Sequence, residues 1–202
     1  MGIVMFKKSL FVILILSLSA CTVRPTTPVS TPAENQVDSQ EQAVYAVLLP
    51  KLYPASTSFV IMDTTATDVL GADNTPQVVD RILQIMYGVA PATADNFRAR
   101  NDKAYPVGPD MQIGVNYVLL SWPERNQIFG QNTSGWEEFY NNYPQTPGIT
   151  TFSRVGFNTT FDQALVYIGT QSNWLAGAGY YILLKKVNGV WSIDQKITAW
   201  AS

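Results

Sequence analysis

The sequence predicts an α+β fold: short helices packed on one face of a curved antiparallel sheet that ends in a C-terminal strand meander. Apolar residues recur at helical spacing through the first half of the chain, and from Thr150 onward the period changes to two. Asn188-Gly189 lies between the last two alternating runs and is a strong hairpin signal, because both turn positions need positive φ. Helices early and strands late place the chain in the α+β class.

The chain opens with a basic pair, Lys7-Lys8, an apolar run from Leu10 to Leu18, and then Leu18-Ser19-Ala20-Cys21. A short apolar segment behind a positive start and before small residues reads as a secretory signal, and it is too short to span a bilayer, which takes roughly 20 apolar residues. The tetrapeptide resembles the lipobox of bacterial lipoproteins. The resemblance implies cleavage between Ala20 and Cys21 and acylation of Cys21, with two or three chains for stable anchoring. Thr22 rather than Asp after the cysteine looks like an outer-membrane signal where the cell has two membranes. Otherwise the expected place is the outer face of the cell membrane.

Residues 1–20 are therefore expected to be removed as a signal peptide. Residues 21–37 are rich in Thr, Pro and Ser and lack apolar periodicity, as a disordered tether does. Fully extended, such a segment reaches up to roughly 50 Å. Residues 38–202 then form a single α+β domain.

Its first helix is expected to start near Asp38 or Ser39, with Val44, Tyr45, Val47 and Leu48 at helical spacing, and to close at Pro50 and Pro54. Ser58–Thr65 is β-branched and apolar, hence a strand. Thr75-Pro76 offers an N-cap and a first-turn proline to a helix with Val78, Val79, Ile82, Leu83 and Met86 on its apolar face, ended by Gly88. A short helix over Thr93–Asn101 carries Phe97 inward. Val115–Leu120 reads as a strand. Ser121-Trp122-Pro123-Glu124 and Ser134-Gly135-Trp136-Glu137 are capping-box patterns, each opening a short helix.

Four strands follow: Thr150–Phe157, Phe161–Thr170, Ala178–Val187 and Val190–Trp200. The second and third are apolar on both faces, as central strands are. In the last, Trp191, Ile193, Ile197 and Ala199 are expected to share the buried face, with Ser192, Asp194, Lys196 and Thr198 opposite.

Composition excludes several chemistries. The chain has no histidine and a single cysteine, which removes Ser-His-Asp and Cys-His catalysis and His-ligated zinc. Net charge is −2, and loss of Lys7 and Lys8 makes the mature chain more acidic, so nucleic acid is not an expected partner. No phosphate-binding glycine motif is present and no cofactor is implied.

Phe139–Ile149 (FYNNYPQTPGI), Ser153–Asn158 (SRVGFN), Gln163–Gly169 (QALVYIG), Leu175–Leu184 (LAGAGYYILL), the NGVW turn and the final WAS resemble, in order and spacing, a family of uncharacterised secreted bacterial proteins. The likeness covers roughly residues 136–202. Relatives carry cysteines in the loop before the glycine-rich block, where this chain has Asn173, Trp174 and Ala176. The resemblance implies fold and export and brings no activity with it.

Three groups are candidate sites. Asn173, Trp174, Gly177 and Gly179 form a candidate binding loop, the glycines admitting a ligand close to the backbone and Trp174 offering a platform; a bulged hairpin needing glycine for positive φ is the alternative. Arg154 is a candidate anion contact, or else the partner of a carboxylate on a neighbouring strand. Asp63, Asp68 and Asp162 are candidate acid–base carboxylates, or plain turn residues. The expected function is that of a membrane-tethered, non-enzymatic envelope lipoprotein that binds another envelope component. The alternatives are a small-ligand carrier or sensor with a cavity between sheet and helices, and a carboxylate-dependent hydrolase.

Overall fold

The computed structural model describes residues 32–66, 76–130 and 134–202, with side chains described from residue 38 in the first helix and from residue 80 in the second. The signal segment with Ala20, the lipidation site Cys21, the tether up to residue 31, Asp68 and Thr75 lie outside the described residues. So do the side chains of Val78 and Val79.

Helix α1 spans Pro32–Leu52 and so begins within the segment that composition assigns to the tether. Pro50 sits inside its last turn, where a missing N–H removes a single bond, and Tyr53 N–H closes the helix on the Leu49 carbonyl at 3.0 Å. Then come β1 (Ser58–Met62), α2 (Pro76–Ile85), α3 (Pro91–Arg100), β2 (Asn116–Leu120), α4 (Trp122–Phe129), α5 (Gly135–Asn142), β3 (Ile149–Phe152), β4 (Gly156–Phe157), β5 (Gln163–Asn173), β6 (Ala176–Val187) and β7 (Val190–Ala201). Gln163 fixes the α2–α3 junction. Its Oε1 accepts from Ala90 N–H at 2.7 Å and Thr93 Oγ1 at 2.9 Å, and its Nε2 donates to the Gly88 carbonyl. The Ser121–Glu124 capping box forms at α4, whereas Ser134 makes no side-chain cap at α5.

The α+β class and the C-terminal meander hold. All the described strands belong to one sheet, of order β2-β1-β3-β5-β6-β7, with β4 also on β5. Two details differ from the sequence-based expectation. First, the sheet is mixed: β1 pairs in parallel with both β2 and β3. The connections from β1 to β2 and from β2 to β3 run through helices, the crossover that parallel pairing requires. Second, helices cover both faces. On β1, Phe59 and Ile61 pack with α1 (Val44, Tyr45, Leu48, Leu49), while Val60 and Met62 pack with Ile128, Trp136 and Phe139 of α4 and α5. On β5 and β6, Val166, Ile168, Ile182 and Leu184 join the α1 side. Leu165, Tyr167, Tyr181 and Leu183 meet Ile82 of α2, Met86 just past its end and Phe97 of α3. Neighbouring residues of a strand point to opposite faces, so α1 covers one face and the two helix pairs share the other.

The β6–β7 hairpin turns at Asn188 (φ 51°) and Gly189 (φ 81°), both left-handed as an Asn-Gly turn requires. Alternation along β7 does not place Trp191, Ile193, Ile197 and Ala199 on one face. The ladder pairs Leu184 with Ile193 but Leu183 with Gln195, which leaves Asp194 as a bulge. One inserted residue exchanges the faces. Trp191 and Ile193 therefore pack on the α1 side, and Ile197 and Ala199 on the α2–α3 side. The bulge also turns Gln195 toward α2, where its Oε1 accepts from Tyr87 N–H at 3.0 Å and its Nε2 donates to the Tyr87 carbonyl.

Trp191→Ala is expected to cost about 3–5 kcal/mol in denaturant unfolding, as for a buried large aromatic. Lys196→Ala, at an exposed position, should change little. Deleting Asp194 should destabilise more than Trp191→Ala, because it sends Ile197 and Gln195 to the wrong faces. A deletion variant as stable as wild type would show that the bulge does not set the register.

Candidate functional site

A single carboxylate organises the region beside Arg154. Glu41 lies on the stripe of α1 that also carries Tyr45, Leu48 and Leu49, and it is 6% exposed. Its Oε1 accepts from Val155 N–H at 2.7 Å, Arg154 Nε at 3.0 Å and Tyr45 Oη at 3.1 Å. Its Oε2 accepts from Arg154 Nη2 at 2.8 Å and Arg100 Nη2 at 3.0 Å. A buried carboxylate is tolerated when it is paired and its lone pairs are filled, and both conditions are met here.

The network sits where the expected strand Thr150–Phe157 breaks into β3 and β4. At the break, Ser153 N–H still donates to the Tyr167 carbonyl, but Tyr167 N–H turns to Ser153 Oγ at 2.9 Å. Freed from the ladder, Arg154 N–H donates to Asn101 Oδ1 at 2.8 Å, and Asn101 Nδ2 donates back to the Arg154 carbonyl at 3.0 Å. Tyr45 donates to the Ser153 carbonyl at 2.8 Å and stacks on Phe152 with ring centroids 4.4 Å apart. Burial, and then the Glu41 charge, push the Tyr45 phenol well above its ordinary pKa. For Arg154, burial opposes the charge, but the hydrogen bond and attraction of Glu41 outweigh it and the pKa is raised.

Beside this network opens a pocket of about 330 Å³. One wall is α1, with Asp38, Glu41, Gln42 and Tyr45. The other is the loop from Pro106 to Met111, and Thr65, Phe152 and Arg154 complete the lining. The loop is held by Val107 N–H on the Asp63 carbonyl at 2.7 Å, Gln112 N–H on Gln42 Oε1 at 2.8 Å, and Met111 N–H on Tyr117 Oη at 2.7 Å. The pocket lies past the carboxyl end of β1, in the parallel part of the sheet, where open α/β sheets commonly place ligands. Three of its lining side chains are acidic (Asp38, Glu41, Asp110) and one is basic.

Arg154, singled out from sequence, is thus in the pocket, but the anion it meets is internal. The carboxylate that pairs with it comes from helix α1 and not from a neighbouring strand. Glu41, Tyr45, Arg100 and Asn101 were not singled out. Glu41 had a signal: it falls at i, i+4 and i+7 with Tyr45 and Leu48, and an acid on a buried stripe implies a paired charge. Asp63 sits just past β1 and outside the pocket lining. Asp162 closes a turn, its pKa lowered by hydrogen bonds from Asn158 and Thr160.

The residues of the candidate binding loop lie in and around a two-residue hairpin. Asn173 ends β5, Trp174 and Leu175 form the turn, and Gly177 and Gly179 belong to β6. Neither glycine has positive φ. Each is a point of close approach to Trp200: a Cβ on Gly179 would lie 2.1 Å from Trp200 Nε1, and one on Gly177 2.9 Å from its ring. Trp174 is half exposed and packs edge-on against Phe129 at 5.7 Å and Trp136 at 6.5 Å. The loop and the Arg154 pocket share no lining residue. Among the described residues no group of three or more acids or cysteines is arranged to hold a metal, and no helix is long and apolar enough to cross a membrane. Comparison with protein-family models, with curated proteins and with solved structures gives no match.

Glu41→Gln is expected to lower stability by about 3–5 kcal/mol in denaturant unfolding, because it leaves two guanidinium groups without their buried counter-charge. Asp38→Asn, at an exposed position, should cost far less. Equal losses would place the stabilisation in the exposed pair and not in the buried one.

Proposed function

We propose that this chain is an envelope lipoprotein, held to the membrane through lipid on Cys21, whose folded domain binds a small ligand or an envelope partner and does no chemistry on it. What supports binding over catalysis is the state of Glu41. The one buried carboxylate at the pocket accepts from four N–H groups and shares the Tyr45 proton with the Ser153 carbonyl, which leaves little lone-pair capacity for a substrate proton. Histidine is absent, and the sole cysteine is the residue assigned to the lipid. The carboxylate-dependent hydrolase stays the weaker alternative.

A small-ligand carrier or sensor is favoured by the pocket volume of about 330 Å³, within the range of small-molecule sites. Its position differs from a cavity between sheet and helices: it opens between α1 and the Pro106–Met111 loop. The excess of acidic lining selects a ligand with a positive group. Asp110, which pairs with no cation among the described residues, is its natural partner. The resemblance of the C-terminal blocks to secreted bacterial proteins supports export.

Cell fractionation tests the anchor. Cys21→Ser should move the protein out of the membrane fraction or leave it unprocessed, and unchanged membrane association with normal cleavage sinks the lipoprotein assignment. A thermal-shift panel of small amines, matched acids and neutral analogues tests the pocket. Ligand at a hundred times its Kd stabilises by about 2.7 kcal/mol. Amines should raise Tm in wild type and not in Asp110→Asn. Stabilisation by acids alone would reverse the charge assignment.

A further inference from the structure

The described residues do not fully cover the second face of the sheet. Between α4 and the end of β7 lies a groove of about 60 Å³, lined by Trp122, Arg125, Thr151, Gly169, Gln171 and Trp200, among others. Trp122 follows β2 after the single residue Ser121, so this groove also lies at the carboxyl end of a parallel strand.

Three features of the groove point to a ligand. Trp200 is fixed in place: its Nε1 donates to Tyr167 Oη at 2.8 Å, and its indole lies across Gly177 and Gly179, where any Cβ would collide with it. Trp122 stands at the other end of α4's first turn with half of its surface exposed. Arg125 is held over Trp122 at 5.3 Å and Phe129 at 5.4 Å, yet it pairs with no carboxylate among the described residues. Burial pushes its pKa down, the sign of a cation whose desolvation is not offset by an internal anion. The Asp38–Glu41–Arg100–Arg154 network shows the contrast, since each guanidinium there meets a carboxylate.

We propose that this groove binds a carboxylate-bearing saccharide of an envelope glycan, with a sugar ring against the Trp122 and Trp200 indoles and its carboxylate on Arg125. Apolar ring faces suit indole surfaces, a half-desolvated guanidinium suits a carboxylate, and the Thr151 hydroxyl and Gln171 amide supply donors and acceptors for sugar hydroxyls. At about 60 Å³ the groove takes one ring substituent, while the ring itself stays on the surface. The source of the ligand rests on the envelope assignment above; the chemistry of the groove does not.

The test uses the full-length protein purified in detergent, titrated with tri-galacturonic acid and N-acetylmuramic acid against maltotriose and N-acetylglucosamine. Tryptophan fluorescence and calorimetry are the readouts. At least one acidic sugar should bind ten-fold or more tightly than its neutral counterpart and quench fluorescence. Arg125→Gln should remove that preference and leave weak binding of the neutral sugars unchanged. Trp122→Ala, with an unchanged thermal midpoint, should weaken both classes ten-fold or more. Asp110→Asn, in the other pocket, should have no effect. Equal affinity for acidic and neutral sugars, no binding of either acid, or acid binding that survives Arg125→Gln would each overturn the proposal. Unchanged membrane association of Cys21→Ser with normal cleavage would overturn the lipoprotein assignment and leave these titrations as they stand.

Discussion

One buried carboxylate ties together three parts of the chain that are far apart in sequence. Glu41 on α1 accepts from the backbone of Val155 at the break between β3 and β4, from Arg154 in the same break, and from Arg100 at the end of α3. Helix α1 lies on one face of the sheet and α3 on the other, so the carboxylate acts as a clamp across the sheet's edge of irregular backbone. Its geometry also decides where the pocket is. The break lifts Arg154 out of the ladder, Glu41 catches it, and the space left between α1 and the Pro106–Met111 loop becomes the opening. Such a cluster is costly to break.

Much of the fold was legible in the sequence because local rules and tertiary structure agree there. The Asn-Gly turn, the Ser121–Glu124 capping box and the two-sided apolar strands β5 and β6 all appear as read. The errors arose where a non-local contact overrides a local pattern. Thr150–Phe157 is unbroken in its β-propensity, yet Ser153 Oγ replaces a backbone acceptor and the strand splits. Trp191 to Ala199 alternates except at Gln195, a polar residue in the apolar row; Asp194 before it is a bulge and the two ends face opposite layers. Parallel pairing of β1 leaves no trace in five residues of apolar strand. At the site, Arg154 was visible as a charge within a strand, but its partner sits 113 residues earlier on a helix. Arg125 carried no signal, since an arginine on a short capped helix reads as a solvated face until its neighbours are known.

The glycine-rich block has a use different from the one that glycine suggests. Gly177 and Gly179 do not supply positive φ; they make room for the indole of Trp200. The C-terminal residues of the chain are thereby pressed onto the β5–β6 hairpin, and the backbones of Gly177 and Ser202 bond to each other in both directions. An aromatic ring held on both sides in this way loses little further freedom on meeting a ligand, a favourable starting point for recognition.

The bulges of β7 have one more consequence, at the boundary of the sheet. Strand β7 is 12 residues long and, among the described residues, has no strand on its outer side. A straight, regular strand in that place would offer a row of unpaired amides to any passing chain, a second copy of itself included. Irregularities at Asp194 and again near Ala199 spoil that row twice, and Lys196 adds a charge between them. The opposite border, β2, is only 5 residues long. Neither border offers a second molecule a long uninterrupted run of backbone.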